Sequence, residues 1–403
     1  MADNQPKIYN YIHIIGAFLV VFIAGFLFGN QVTYIDSQTR TDNTIDSLFS
    51  PLFQAYFLIQ ENYHEEIEDE VLVNGAIDGM VAILGDRYST YLTPEVNQHF
   101  TDSLSGDMEG IGATIRTNDD DLVEVVNTLP NTPAEEAGVR VGDIFYAVDG
   151  MDVLGMSQEE LLPLVRGRAG TTVLITFQRG EDLIDLEITR RRFEIPTIEF
   201  EAVADDRIGY VRILDFSTRT RARLDDALDS LNINNMDGLI LDLRGNPGGL
   251  LTSTVEVISA FVPEGVILYE VFGDNTEQTF EADGSFYGVD VPIVVLVDQG
   301  SASASEVLAG TLQDYELATV MGDVTFGKGT VQVLHQLMNG GGLRVTIAKW
   351  LTPLRHSISE VGITPDILVP LPEDFDFDRD GDIQLEAAID YIAELTAESV
   401  GAD

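Results

Sequence analysis

Apolar residues recur along this chain with a period that changes from region to region, and each change predicts a different element. Ile8 to Gly29 is apolar apart from Asn10 and His13, and then gives way to the polar stretch Asn30 to Asp46. A run of about 22 residues is long enough to span a bilayer and long for the core of a signal peptide. With no small-x-small cleavage pattern near Phe26–Gln31, it predicts an uncleaved anchor. From Ile45 to Phe100 the period becomes helical. Leu48, Leu52, Ala55, Tyr56 and Ile59 repeat at threes and fours, as do Val73, Ala76, Ile77, Met80 and Ile83.

Asp107 to about Arg191 changes to short alternating runs. Strands are predicted over Ile111–Arg116, Leu122–Val126, Ile144–Val148, Val173–Phe177 and Leu183–Ile188. Thr132-Pro133-Ala134 reads as a helix N-cap with proline at the first position, stopping at Gly138. Ser157 to Glu160 is a capping box opening a second helix that ends near Gly167. Beyond Arg207 the runs become fully apolar, as in Gly238–Leu243 and Ile293–Val297, with helical segments between them. That order predicts an α/β core with parallel pairing. Val331–Leu337 and Leu343–Trp350 read as a hairpin across Asn339–Gly342.

Candidate chemistry gathers between Pro292 and Gln332. The strand Ile293–Val297 leads through Gly300-Ser-Ala-Ser-Ala-Ser305 into a helix, so a serine meets the freed amides and positive dipole end of a helix N-terminus. Ser303 with Glu306 also fits a capping box, a role that needs no chemistry. None of the five histidines (His13, His64, His99, His335, His356) sits in a glycine-rich or nucleophile-elbow setting, although sequence order leaves a Ser-His-Asp triad open. Lysine is scarce: only Lys7, Lys328 and Lys349 occur, and arginine supplies the rest of the 22 basic residues. Lys328 lies between Gly327 and Gly329. A desolvated lysine can lose its proton near neutrality and an arginine cannot. The glycines of Gly245-Asn-Pro-Gly-Gly249 fit neither a P-loop nor a dinucleotide fingerprint.

Composition narrows the partners. The formal net charge of −46 argues against nucleic acid or anionic lipid as a binding surface. The absence of cysteine excludes disulfides, thiol chemistry and lipid attachment at an N-terminal cysteine. No histidine–carboxylate cluster has metal spacing, and no cofactor is implied. Asp376, Asp378, Asp380 and Gly381 partly match a calcium loop, but Glu386 falls one place early, so the segment reads as an acidic lead into a last helix over Ile383–Leu395.

The motifs SASASE (Ser301–Glu306), FGKGTVQ (Phe326–Gln332) and DLRGNPGG (Asp242–Gly249), with DRYSTYL (Asp86–Leu92) and GITPDI (Gly362–Ile367), resemble the carboxy-terminal processing peptidases, or tail-specific proteases. The resemblance implies an α/β fold: a crotonase-like ββα protease core with an inserted PDZ domain, a helical N-terminal region and an N-terminal transmembrane helix. It implies these divisions: an anchor over 1–30, helices over 45–104, PDZ over 105–192, protease core over 193–370, and an acidic helical segment over 371–403. It makes Ser303 the nucleophile and Lys328 the general base, with Gln332 orienting the lysine. The amides of Ala304 and Gly249 would form the oxyanion hole. Gly110, Ile111, Gly112 and Ala113 would bind the substrate's terminal carboxylate, whose tail adds as a strand to a sheet edge. Arg166 is either a contact that switches the PDZ domain or a plain cation at a helix C-terminus. The partners implied are proteins or peptides with exposed C-termini and, through the anchor, a membrane; a homo-oligomer is left open. Lys7 before the apolar run mildly favours a catalytic body outside the cytoplasm, on the periplasmic or cell-surface side. The rival from another class is a PDZ scaffold with an inactive protease-like domain.

Overall fold

The computed structural model describes residues 42–104, 107–118, 120–372 and 381–401, in two compact units that divide after Met80. The anchor expected over Ile8–Gly29 lies outside the described residues, as do Asp376, Asp378 and Asp380. No described helix is long and apolar enough to cross a membrane.

The first unit holds helices α1 (Asp42–Asn62) and most of α2 (Asp69–Ala82). Its helical period is real, but the stripe is not buried. Leu52, Phe53, Tyr56, Ile59, Val73 and Met80 line an apolar groove of about 520 Å³ between the two helices.

The second unit begins at Val81, in the last turn of α2, and continues into the motif Asp86–Leu92. Only its start is a turn: Thr90–Leu92 forms strand β1, followed by helix α3 (Pro94–Leu104). Strand β2 (Asp107–Gly110) leads into the domain of short strands: β3 (Ala113–Thr117), β4 (Val123–Thr128), α4 (Pro133–Ala137), β5 (Ile144–Val148), β6 (Met151–Asp152), α5 (Gln158–Val165), β7 (Thr172–Arg179), β8 (Asp182–Thr189) and β9 (Arg191–Glu194). The expected strand from Ile111 starts two residues later. Ile111-Gly112 is a loop between β2 and β3, with Gly112 at φ +83° and Thr132 within 2.6 Å of where a Cβ would stand. Alternating burial along β7 places Val173, Ile175 and Phe177 in one core with Val125, Phe145 and Leu161. The predicted caps are present. Pro133 opens α4, Gly138 closes it in the left-handed region, and Ser157 and Glu160 cap α5 reciprocally.

The remaining chain builds the body: β10 (Ile198–Val203), β11 (Ile208–Ile213), α6 (Thr220–Leu231), β12 (Gly238–Asp242), α7 (Leu251–Ser259), β13 (Val266–Phe272), β14 (Glu277–Glu281), β15 (Ile293–Val297), α8 (Ala304–Asp314), β16 (Thr319–Gly322), β17 (Thr330–Gln336), β18 (Gly342–Leu351), β19 (Ile367–Leu368) and α9 (Ile383–Gly401). One sheet runs β10-β11-β12-β15-β16-β19, parallel except for the antiparallel edge strand β10. Strands β12 and β15 are buried at every position, which is why their sequences are unbroken apolar runs. Helices α6, α7 and α8 cover one face. Helix α9 covers the other, with Ala388 and Ile392 packed on Ile240, Val294 and Met321. Helix α9 of the acidic C-terminal segment is therefore part of the core, and it runs past the expected end at Leu395. A second sheet, β1-β18-β13-β14 with β17 on β18, carries the predicted hairpin.

Candidate active site

Two structural pieces meet at the site. The parallel sheet ends β15 at a turn whose last residue, Ser303, precedes α8. Its backbone lies at φ 54°, ψ −113°, a conformation that costs a non-glycine residue on the order of 1–3 kcal/mol and lifts the side chain out of the turn. The loop after β12 lies against it. A Cβ on Gly248 would come within 2.8 Å of the Ser303 Cβ and 2.9 Å of the Ala304 nitrogen, so only glycine allows this approach. Lys328 comes from the crossing between the two sheets, after β16 and before β17.

Ser303, Ala304, Gly248, Gly249, Lys328 and Gln332 line one cavity of about 440 Å³. Leu251, Val307, Val331, Leu334 and Trp350 supply its apolar wall. Among the described residues, no carboxylate and no histidine line it. His356, the described histidine with an aspartate partner, contacts Asp314 at 3.2 Å beside a different cavity.

The amides expected as an oxyanion hole are free among the described residues. The Gly248 N–H donates to Asn246 Oδ1 at 2.8 Å, whereas those of Gly249 and Ala304 make no hydrogen bond. Lys328 Nζ likewise has no hydrogen-bond partner among the described residues and stands 5.4 Å from the centre of the Tyr88 ring. Burial lowers the lysine's pKa below its ordinary value, the Arg344 charge lowers it further, and Glu306 pulls the other way. Gln332 shares the cavity but not the bond expected of it. Its Nε2 donates to Thr330 Oγ1 (2.8 Å) and Thr346 Oγ1 (3.3 Å), and no hydrogen bond joins it to Lys328.

In the domain of short strands, Gly110, Ile111, Gly112, Ala113 and Arg166 line one small groove with Phe145, Leu162 and Val165. The carbonyls of Ile111 and Gly112 are taken by the amides of Ala134 (2.7 Å) and Leu129 (2.9 Å). Arg166 is the C-cap residue of α5, and Arg190 also supplies a cation at that helix end. The buried guanidinium of Arg190 donates to the carbonyls of Val165 (2.8 Å) and Leu164 (3.0 Å) at the end of α5.

The family profile for peptidase family S41 matches residues 207–369, a PDZ domain profile matches 124–179, and that of the activating protease CtpB N-terminal domain matches 19–96. The carboxy-terminal processing protease CtpA of Bacillus subtilis (strain 168) is 37% identical over 336 residues, covering 83% of this chain and 72% of its own. The chain belongs to peptidase family S41. The protein named "Probable CtpA-like serine protease" from Staphylococcus aureus (strain COL) is 35% identical over 356 residues, 88% of this chain and 70% of its own. A crystal structure assigned to the S41 proteases, from Bacteroides fragilis NCTC 9343, shares the fold at a TM-score of 0.53 and 17% identity, covering 83% of this chain and 92% of that one. This S41 member is thus a serine-type carboxy-terminal processing peptidase with a PDZ domain.

Several side chains at this peptidase's site escaped the sequence analysis. Glu306, fully buried, is more than half of a capping box. Its carboxylate accepts from the Ser303 amide (2.8 Å), Thr325 Oγ1 (2.7 Å) and the amides of Gly327 (2.7 Å) and Lys328 (2.9 Å), tying both halves of the site together. Burial pushes its pKa up while these donors pull it down, and burial wins. Ser301 and Ser305 brace the glycine loop by donating to the carbonyls of Leu243 (2.8 Å) and Asn246 (3.0 Å). Tyr88 belongs to the Asp86–Leu92 motif, and its ring centre lies 5.4 Å from the Lys328 amine. Arg244, in the same loop as Gly249, is held by Asp242 (2.6 Å) and by Asp382 from the C-terminal segment (2.7 Å). The capping motif at Glu306 was the one sequence signal that pointed to any of these.

Proposed function

We propose that Ser303 is the nucleophile and Lys328 the general base of this peptidase, with the amides of Gly249 and Ala304 as the oxyanion hole. The neutral Lys328 amine takes the Ser303 Oγ proton as the oxygen attacks the scissile carbonyl carbon. The carbonyl π pair moves onto oxygen, between the two free amides. Collapse of the tetrahedral species breaks the C–N bond, and Lys328 returns the proton to the leaving amine. Water then attacks the acyl-enzyme by the same relay and releases a carboxylic acid and the free serine. The observation that carries this assignment is the shared cavity: one serine on a strained turn, one desolvated amine without a hydrogen bond, and two unengaged amides. Gln332 acts at one remove, by fixing Thr330 next to the lysine. Nothing in the cleft favours an inactive scaffold.

The PDZ groove takes the substrate's tail. The loop Gly110–Ala113 receives the terminal carboxylate, and Arg166, at the mouth of that groove, couples tail binding to the body. Ile8–Gly29 anchors the chain in a membrane with the catalytic body on the extracytoplasmic side, a reading supported by the length and apolarity of that run and by Lys7 before it. Cleavage of an unfolded protein with an apolar C-terminal tail tests the assignment. Wild type cuts it, while Ser303→Ala and Lys328→Ala bind the tail but do not cut. Equal cleavage by Lys328→Ala would remove the dyad. Sedimentation of the full chain with membranes, resistant to high salt and carbonate, tests the anchor.

A further inference from the structure

Arg344 stands out among the body's arginines. Arg207, Arg219, Arg221, Arg223, Arg244 and Arg355 each pair with an aspartate or glutamate at 3.1 Å or less. Arg344 has no carboxylate in ion-pair range among the described residues. Its Nε donates to the Tyr88 carbonyl at 3.3 Å and its guanidinium lies 5.8 Å from the Phe100 ring centre, and among the described residues the two terminal nitrogens make no hydrogen bond. This open guanidinium lines the same cavity as Ser303 and Lys328.

Its position is built rather than incidental. Arg344 sits on β18 opposite Leu334 of β17 on one side and Thr90 of β1 on the other. Ser89 Oγ accepts from the Thr346 amide at 3.0 Å and donates to Asp86 at 2.6 Å, so the motif around Tyr88 pins the strand that carries the arginine. A guanidinium anchored through Nε keeps its two outer amino groups aimed in one direction, the geometry suited to a carboxylate.

We infer that Arg344 is a subsite for a substrate side-chain carboxylate, an aspartate or glutamate close to the scissile bond. The inference rests on the cleft being the catalytic one. The chain carries 68 acidic residues and a net charge of −46, so its overall field repels an acidic peptide. The cleft is an exception: among the described residues two basic side chains, Lys328 and Arg344, and no acidic one line it. Since Lys328 works as a neutral amine, Arg344 is the fixed charge that remains to receive an anion. A carboxylate there also replaces the water that an unpaired guanidinium would otherwise hold in an apolar cleft.

The test uses the full chain and peptides sharing one apolar C-terminal tail. Each carries glutamate, glutamine or lysine at one of the three positions on either side of the cleaved bond, which is located by mass spectrometry. Amidated versions separate a side-chain carboxylate from the chain terminus. At one position the glutamate peptide should show a kcat/KM at least about tenfold above the glutamine peptide, whether or not the tail is amidated. Arg344→Gln should bring that ratio close to one, and Arg344→Glu should favour lysine. Equal rates for all three residues at every position would overturn the inference, as would a preference that survives in Arg344→Gln. So would a preference lost on amidation, or a uniform loss across peptides with the pH–rate limb moved upward, since the latter makes Arg344 a charge acting on Lys328 alone. No hydrolysis of any peptide by wild type would instead count against the catalytic assignment itself.

Discussion

The cleft that holds Ser303 and Lys328 and the groove of the PDZ domain are both built around glycine-containing loops, yet they differ in how much structure holds those loops. Around the cleft the bracing is side-chain and buried. Glu306 accepts four hydrogen bonds that span the nucleophile turn and the lysine loop, while Ser301, Ser305 and Asn246 cross-tie the turn, the glycine loop and β11. Around the PDZ loop the bracing is chiefly backbone, through the carbonyls of Ile111 and Gly112, with Thr132 packed beneath Gly112. The difference fits the tasks proposed for the two sites. Acyl transfer fails when donors and nucleophile drift by an ångström, whereas strand addition of a flexible tail tolerates such drift.

The comparison breaks most sharply at the nucleophile and base. Ser303→Ala or Lys328→Ala should each lower kcat/KM by at least about 10³-fold, with tail-peptide affinity measured by calorimetry unchanged. Next comes the brace. Glu306→Ala leaves buried donors on both sides of the cleft without an acceptor, at about 1–3 kcal/mol for each. It should lower the urea midpoint and reduce kcat far more than it changes tail affinity. The groove gives the converse result. Gly112→Ala meets Thr132 and a backbone at φ +83°, so tail affinity should fall roughly tenfold or more. Hydrolysis of a short peptide lacking the tail should change little. An equal loss for tailed and tailless peptides would show that the two regions are not separable in this way.

The smallest effect lies at the C-terminal segment. Burial raises the Asp382 pKa, but hydrogen bonds from Arg244 and the amides of Leu385 and Gln384 outweigh it, so the folded carboxyl titrates below its ordinary value. A depressed folded pKa contributes stability that is complete above the unfolded value of about 3.9 and is lost as pH falls through the folded one. Asp382→Asn should therefore be less stable than wild type at pH 7. The gap between their melting temperatures should narrow below about pH 4. A gap that stays constant down to pH 2 would mean that the Arg244 pairing contributes nothing specific to the charge.

What the sequence made legible follows from where the information lies. The serine turn, the glycine loop, the lysine between glycines and the caps of the PDZ helices are local patterns, and each appears where its pattern placed it. The partners of those elements are not local. Tyr88 and Arg344 meet across 256 positions because β1 pairs with β18, and Arg244 meets Asp382 across 138. Nothing in the spacing of residues within either segment announces such pairings. Gln332 shows the limit from the other side. Its position on the cavity wall matched the motif, but its hydrogen bonds are set by Thr330 and by Thr346 on the neighbouring strand. The helical stripe of the first unit was likewise legible as helix, while its exposure was not, since period reports which residues share a face and not what covers it.

The central claim is that a neutral Lys328 is the base, and a pH–rate profile of wild type beside Lys328→Arg tests it most directly. Arginine keeps the positive charge and cannot release its proton. The account predicts that wild-type kcat/KM rises with pH to a plateau reached below 10.5, the lysine's ordinary value, and that Lys328→Arg is inactive throughout while still binding the tail. Retained cleavage in Lys328→Arg, with the same pH dependence, would contradict it and place the base elsewhere.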